Sequence, residues 1–188
     1  MALTYFDTKE ELLNFLTQLA EKQLDKTVEW RHSIDVTILL QPSNTGGWSM
    51  AQCLAHLNAY SDYYLASFRH GISSHEKYLQ NHSIKSTWLG RLAIKSMHPE
   101  TGKSKFKAMK GYIPDTELPA LEVLDTFISH QKNLLEILKN ARNYQLNQIT
   151  IPISIAKFLT LRLADALYFL IIHQERHILQ AERNLEGK

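Results

Sequence analysis

Chain breakers are scarce in this sequence, and that scarcity constrains the fold more than any other feature. Seven glycines and five prolines serve 188 residues, with no internal repeat or low-complexity tract, so long helices are the natural expectation. Two stretches interrupt them: NTGGW, residues 44–48, and HPETGKSKFKAMKGYIPD, residues 98–115. The second is rich in lysine, glycine and proline and too irregular for a long helix, so it reads as a surface crossover.

Asp7 is a candidate cap for a first helix opening Thr8, Lys9, Glu10, Glu11, because acids suit the positive end of a helix. Leu12, Leu13, Phe15, Leu16, Leu19 and Val28 recur at helical spacing, predicting a helix to about Lys26 and a second piece through Leu39. Ser49, with Gln52 three positions on, has the form of a capping box. The helix it opens carries Cys53, His56, Leu57, Tyr60, Tyr63 and Tyr64 on one side and ends at Gly71, so His56 faces inward. A short helix is expected over Trp88 to Met97. A third principal helix is placed near Thr116, with Leu121, Leu124, Phe127, Ile128, Leu134, Leu135 and Leu138 on it, and a fourth is capped by Thr160 and runs through Ala181. The result is an all-α, four-helix bundle. The long connection between its second and third principal helices implies that those two run in the same direction.

With 44% hydrophobic residues, the chain suits one compact domain over residues 1–188. Its formal charge of +2 comes from interspersed acids and bases, which favours neither nucleic acid nor an anionic membrane as partner. The single cysteine, Cys53, rules out an internal disulfide framework and fits a reducing compartment, so the cytoplasm is the expected location. The N-terminus does not read as a secretory signal. The longest apolar region, ISIAKFLTLRLADALYFLII, is broken by Lys157, Arg162 and Asp165 and is a poor membrane span.

Within the fourth helix stands HQERH, residues 173–177. Positions four apart on a helix point nearly the same way, so His173 and His177 can direct two imidazoles at one point. His56 is the natural third member of such a group, since it also faces inward. Spacing alone does not decide the matter, because nine histidines in 188 residues give about 0.4 such pairs by accident. Metal ligation and a pair of ordinary interior or surface histidines both stay open on the residues alone.

GWSMAQCLAHL, residues 47–57, followed far downstream by HQERHILQAER, residues 173–183, resembles the DinB/YfiT-like superfamily of metal-dependent helical proteins. The Trp-Ser helix start, the histidine two turns later and the closing His-x-x-x-His correspond here to Trp48, Ser49, His56, His173 and His177, with Arg176 and Gln180 also matching. The resemblance covers most of the chain. It implies a bundle of up-down-down-up order and a divalent metal, nickel, zinc or iron, held by His56, His173 and His177. It further implies chemistry on a low-molecular-weight thiol and an electrophilic small molecule, and a homodimer.

Three neutral imidazoles would leave a coordination position open, as catalytic metal sites do. Thiol transfer is then the first reaction to expect, and hydrolysis by a metal-activated water the second. No residue presents itself as general acid or base, so a helical small-ligand or partner-binding protein without enzymatic activity is the competing class. Other side chains carry lesser readings beside ordinary ones. Gln52 could orient His56 or simply cap; Cys53 could be an extra ligand or a small buried apolar residue; His130 could approach the site or be a satisfied boundary histidine. Tyr60, Tyr63 and Tyr64 read as core aromatics that could offer a phenol. Glu175 lies away from the histidine face. His32, His70, His75, His82 and His98 read as structural or solvated. The lysines of residues 103–112, interleaved with Phe106 and Tyr112, read as a solvated loop rather than a base-stacking surface.

Overall fold

The computed structural model describes residues 6–44, 46–100 and 108–186. Its elements in chain order are α1 (Lys9–Ser33), α2 (Val36–Leu40), α3 (Met50–Ser73), α4 (Trp88–Met97), a single 3-10 turn (Lys110–Tyr112), α5 (Ala120–Ala141), β1 (Thr150–Ile153), β2 (Ala156–Arg162) and α6 (Leu163–Glu186). Four long helices, α1, α3, α5 and α6, build an all-α bundle to which a small two-stranded hairpin is added.

Cross-helix pairs give the direction of each helix. Between α1 and α5, Asn14 meets Arg142, Gln23 meets Gln131 and Arg31 meets Asp125, so numbers rise on one helix as they fall on the other. Between α3 and α5, Asn58 reaches the Val123 carbonyl and Asp62 reaches His130, which makes them parallel. α3 and α6 are antiparallel, since Tyr60 packs on His173 and Tyr64 on Phe169. Finally α1 and α6 run together, pairing Phe15 with Tyr168, Gln23 with Glu175 and Lys26 with Glu182. The order is therefore up-down-down-up, which the long connection between α3 and α5 allows.

The ends of the elements show where local chemistry overrides pattern. Thr8, rather than Asp7, caps α1: its hydroxyl accepts from Glu11 N while the Glu11 carboxylate accepts from Thr8 N, a reciprocal box set one residue later than expected. α1 continues to Ser33, beyond Lys26, and Asp35 caps the separate α2. α5 begins at Ala120 instead of near Thr116, because Pro119 disfavours helical backbone in the residue before it. Leu121, assigned to the apolar set of that helix, is partly exposed.

Residues 150–162 depart most from expectation. Thr160 does not cap α6 but lies in β2, paired with Pro152, while Ile151 faces Leu161 and both are buried. Gly71 lets this hairpin approach α3, since a Cβ there would lie 2.9 Å from Ile151 Cδ1 and 3.0 Å from Ile149 Cγ2. Asp165, at the start of α6, anchors the crossover. Its buried carboxylate accepts from the Ser86 hydroxyl, and from Thr87 N at 3.0 Å and Thr87 Oγ1 at 3.1 Å. α4 then packs so closely on α6 that a Cβ on Gly90 would lie 2.1 Å from Asp165 Oδ2.

The apolar interior falls into two clusters. One gathers Leu13, Leu16, Tyr64, Phe68, Leu134 and Leu167; the other gathers Trp30, Met50, Leu54, Phe127 and Ile178. Among the buried polar side chains, Gln23, Ser61, Gln131 and Gln174 come one from each long helix. Among the described residues, no helix is long and apolar enough to cross a membrane.

Candidate metal centre

Ser49 starts α3 with the predicted capping box, its hydroxyl accepting from Gln52 N at 3.1 Å and its N–H donating to Gln52 Oε1 at 3.0 Å. That fixed start sends His56 toward α6. On the antiparallel α6, His173 and His177 stand one turn apart and face back. The three rings meet with centroid separations of 5.1 Å for His56 and His173, 4.7 Å for His56 and His177, and 4.8 Å for His173 and His177. One ring nitrogen from each lies within 4.8 Å of the others.

Hydrogen bonds on the outer edges of two rings fix what the inner edges offer. A carbonyl can only accept, so His56 Nδ1 carries its proton and donates to Tyr112 O at 2.6 Å, leaving a lone pair on Nε2. His177 Nδ1 likewise donates to Gln180 Oε1 at 3.0 Å. His173 Nε2 lies 3.3 Å from His56 Nε2, and its Nδ1 is buried without a hydrogen-bond partner. Without a metal ion, His173 Nε2–H can satisfy His56; ligation by Nε2 would require the proton to move to Nδ1.

Burial keeps the group neutral. His56 and His173 are only 4% and 3% exposed. Desolvation, above all, pushes His56 below the ordinary histidine range, against the pull of the Tyr112 carbonyl. His173 is held well below that range by desolvation first, then by the neighbouring His177, His56 and Arg176. Desolvation, followed by His56, lowers His177 to about 3. Neutral imidazoles with inward lone pairs are the form in which histidine binds a metal.

An aromatic wall surrounds them. Trp48 stacks on His177 at 5.7 Å and lies 4.9 Å from His56, and its carbonyl accepts from Asn184 Nδ2. Tyr60 sits 5.0 Å from His56 and 4.6 Å from His173, with Tyr112 4.2 Å away over its own ring. Phe169 stacks on His173 at 5.8 Å. Burial raises the Tyr60 phenol to about 12, so it remains protonated.

Other candidates divide differently. Gln52 is occupied by its cap and by the Asp115 carbonyl, 3.2 Å from its Nε2, so the Tyr112 carbonyl orients His56 instead. Cys53 is fully buried and burial pushes its thiol up to about 12, the state of an inert core residue. His130 pairs with Asp62 at 3.1 Å and Asn58 at 3.2 Å on the α5 side of α3. Glu175 faces α1, accepting from Gln23 at 3.0 Å. The Tyr64 hydroxyl accepts from Ser154 N, and Tyr63 packs against Tyr64. Lysines 103, 105 and 107 and Phe106 lie outside the described residues. Residue types alone carry no signal for Tyr112, which acts through its backbone, or for Phe169, which reads as ordinary core.

Fold and site together define a helical bundle with a three-histidine cluster, two of its rings buried and the third partly so, between its second and fourth long helices. Residues 32–181 match the family model of the DinB superfamily, and the chain belongs to that superfamily. The matched span contains all three histidines. No curated protein and no solved structure gives a significant match. Both the superfamily and the cluster are compatible with a divalent metal.

Proposed function

We propose that the protein is a metal-dependent enzyme whose His56, His173 and His177 hold one divalent ion, and that it transfers a low-molecular-weight thiol to an electrophilic small molecule. The observation that carries the reading is the convergence of three ring nitrogens within 4.8 Å on imidazoles kept neutral by burial. Nickel, zinc or iron held there would lower the pKa of a thiol or water at its open position and so supply the nucleophile.

The chain's own residues prepare that position. The Tyr112 carbonyl and Gln180 keep protons on the outer nitrogens of His56 and His177, so their inner lone pairs stay available. Trp48, Tyr60 and Tyr112 pack around the cluster and shield it from bulk water. No carboxylate belongs to the cluster among the described residues, which favours a nucleophile activated by an ion over one activated by a general base. Water as the nucleophile gives hydrolysis, the second reaction to screen. The family resemblance also motivates a homodimer; sedimentation as a monomer at working concentration would remove that part of the reading.

Metal content of tag-free protein, measured by mass spectrometry for wild type, His56→Ala and His177→Ala, is the first test, with circular dichroism to verify folding. Near one ion per chain in wild type and loss in both folded variants supports the site. Thiol-dependent turnover that disappears on chelation and in His177→Ala supports the enzyme. No ion after reconstitution with nickel, zinc and iron refutes the metal reading, and tight small-molecule uptake indifferent to chelation would put a binding protein in its place.

A further inference from the structure

The middle of the bundle carries a second polar group, independent of the histidines. Gln23 of α1, Ser61 of α3, Gln131 of α5 and Gln174 of α6 are each at most 1% exposed. A helical bundle can fill such positions with leucine, and buried amides destabilise it unless all their hydrogen-bonding groups are met.

The bonds present fix which groups are unmet. Gln23 Nε2 donates to the Ile171 carbonyl at 3.1 Å and to Glu175 Oε2 at 3.0 Å, and both partners are acceptors. The Gln23 amide therefore cannot be turned round, and its Oε1 must face Gln131. Gln131 Nε2 donates to that oxygen at 3.4 Å, which fixes Gln131 as well and leaves its Oε1 buried without a donor. On the other side, Gln174 Nε2 lies 3.4 Å from Ser61 Oγ, and Gln174 Oε1 is also buried without a donor. Turning the Gln174 amide would let Ser61 donate to Oε1 and would put Nε2, a donor, where that oxygen stood.

We propose that this central layer binds ordered internal water, which donates to Gln131 Oε1 and completes the free amide atom of Gln174. Water fits because it is both donor and acceptor, so it serves either orientation of Gln174, and because the Ser61 hydroxyl supplies another polar partner nearby. No apolar ligand could meet the unpaired oxygens. Gln174 directly follows His173 and Ser61 directly follows Tyr60. The hydrated layer thus fixes the rotation of α6 against α3 at the level of the histidine cluster, whether or not a metal is held there.

The test is an atomic-resolution crystal structure of wild-type protein. A full-occupancy solvent peak within hydrogen-bonding distance of Gln131 Oε1 and of Gln174 is expected; a dry layer, or a protein donor bonded directly to Gln131 Oε1, overturns the proposal. In solution, magnetic relaxation dispersion of labelled water counts long-lived internal molecules. Replacing the amides together, Gln23→Leu with Gln131→Leu and Gln174→Leu, should lower the count by at least one, and an unchanged count in the folded variant overturns it. If that variant does not fold, the wild-type structure alone decides.

Discussion

Acid should unfold this protein partly through its histidine cluster, and the contribution of His177 can be isolated. In the folded metal-free chain His177 stays neutral down to about pH 3, mainly because its ring is desolvated, whereas in the unfolded chain it takes up a proton at the ordinary value of 6.5. Nothing from this source changes above pH 6.5. Below it the unfolded state binds a proton that the folded state refuses, so stability falls with pH until the folded value is reached. Each pH unit in that window is worth about 1.4 kcal/mol, so going from pH 6.5 to 5.0 should remove about 2 kcal/mol through His177 alone. His173 and His56 shift in the same direction and add losses of the same sign. Urea unfolding of metal-stripped protein between pH 7.5 and 5.0, compared with His177→Gln, separates the His177 share from every other titrating group. Wild type should lose about 2 kcal/mol more than the variant across the window. Parallel stability curves would refute the desolvated, neutral state of the partly buried His177 on which the proposed centre depends.

The remaining predictions concern how the site is held. Asp165→Ala should destabilise the protein by about 3 kcal/mol, because it leaves the Ser86 and Thr87 donors without their buried acceptor; urea unfolding measures the loss, and hydrogen exchange should find α4 loosened first. Gly71→Ala should cost about 1–2 kcal/mol by pressing on Ile149 and Ile151, read as a lower melting temperature. Ser49→Ala removes half of the α3 capping box and should cost about 1 kcal/mol in the same assay. Gln180→Leu frees His177 Nδ1 and should weaken metal binding about 10-fold or more, measured by competition with a chelator, while leaving the helical spectrum intact.

What the sequence disclosed follows from how local each signal is. The Ser49 and Gln52 box, the short helix from Trp88 to Met97 and the inward direction of His56, His173 and His177 depend on residues within a turn or two of one another, and they were readable. The topology was readable too, because a connection as long as that between α3 and α5 leaves room for the chain to return along the bundle. The hairpin was not. Leu159, Leu161 and Leu163 alternate as strand residues do, but the run is short and leads straight into the apolar stripe of α6, so Thr160 reads as a helix cap until the packing of Ile151 and Leu161 selects the strand. Tyr112 was missed for a different reason: its backbone carbonyl reaches His56 across 56 residues, and no side-chain pattern encodes that contact.

The arrangement of the long helices explains why the three histidines meet where they do. A pair four residues apart on one helix supplies two directed nitrogens, but a third must come from a helix packed directly alongside. Direct packing joins α3 to α6, whereas α1, although also beside α6, meets it through Phe15, Gln23 and Lys26 on another side. Because α3 and α6 are antiparallel, residues early in α3 face residues late in α6, so His56 meets His177 as well as His173. Were α3 to run the other way, the same sequence would carry His56 toward the start of α6, beside Leu167 and Phe169 in the apolar core. Three imidazoles stripped of water lower stability unless something gains from their lone pairs. A helix pair that concentrates them, orients two from behind and walls them with aromatic rings would give the proposed cation that gain, and on that proposal loss of His56 or of His177 should each release the ion while leaving the bundle standing.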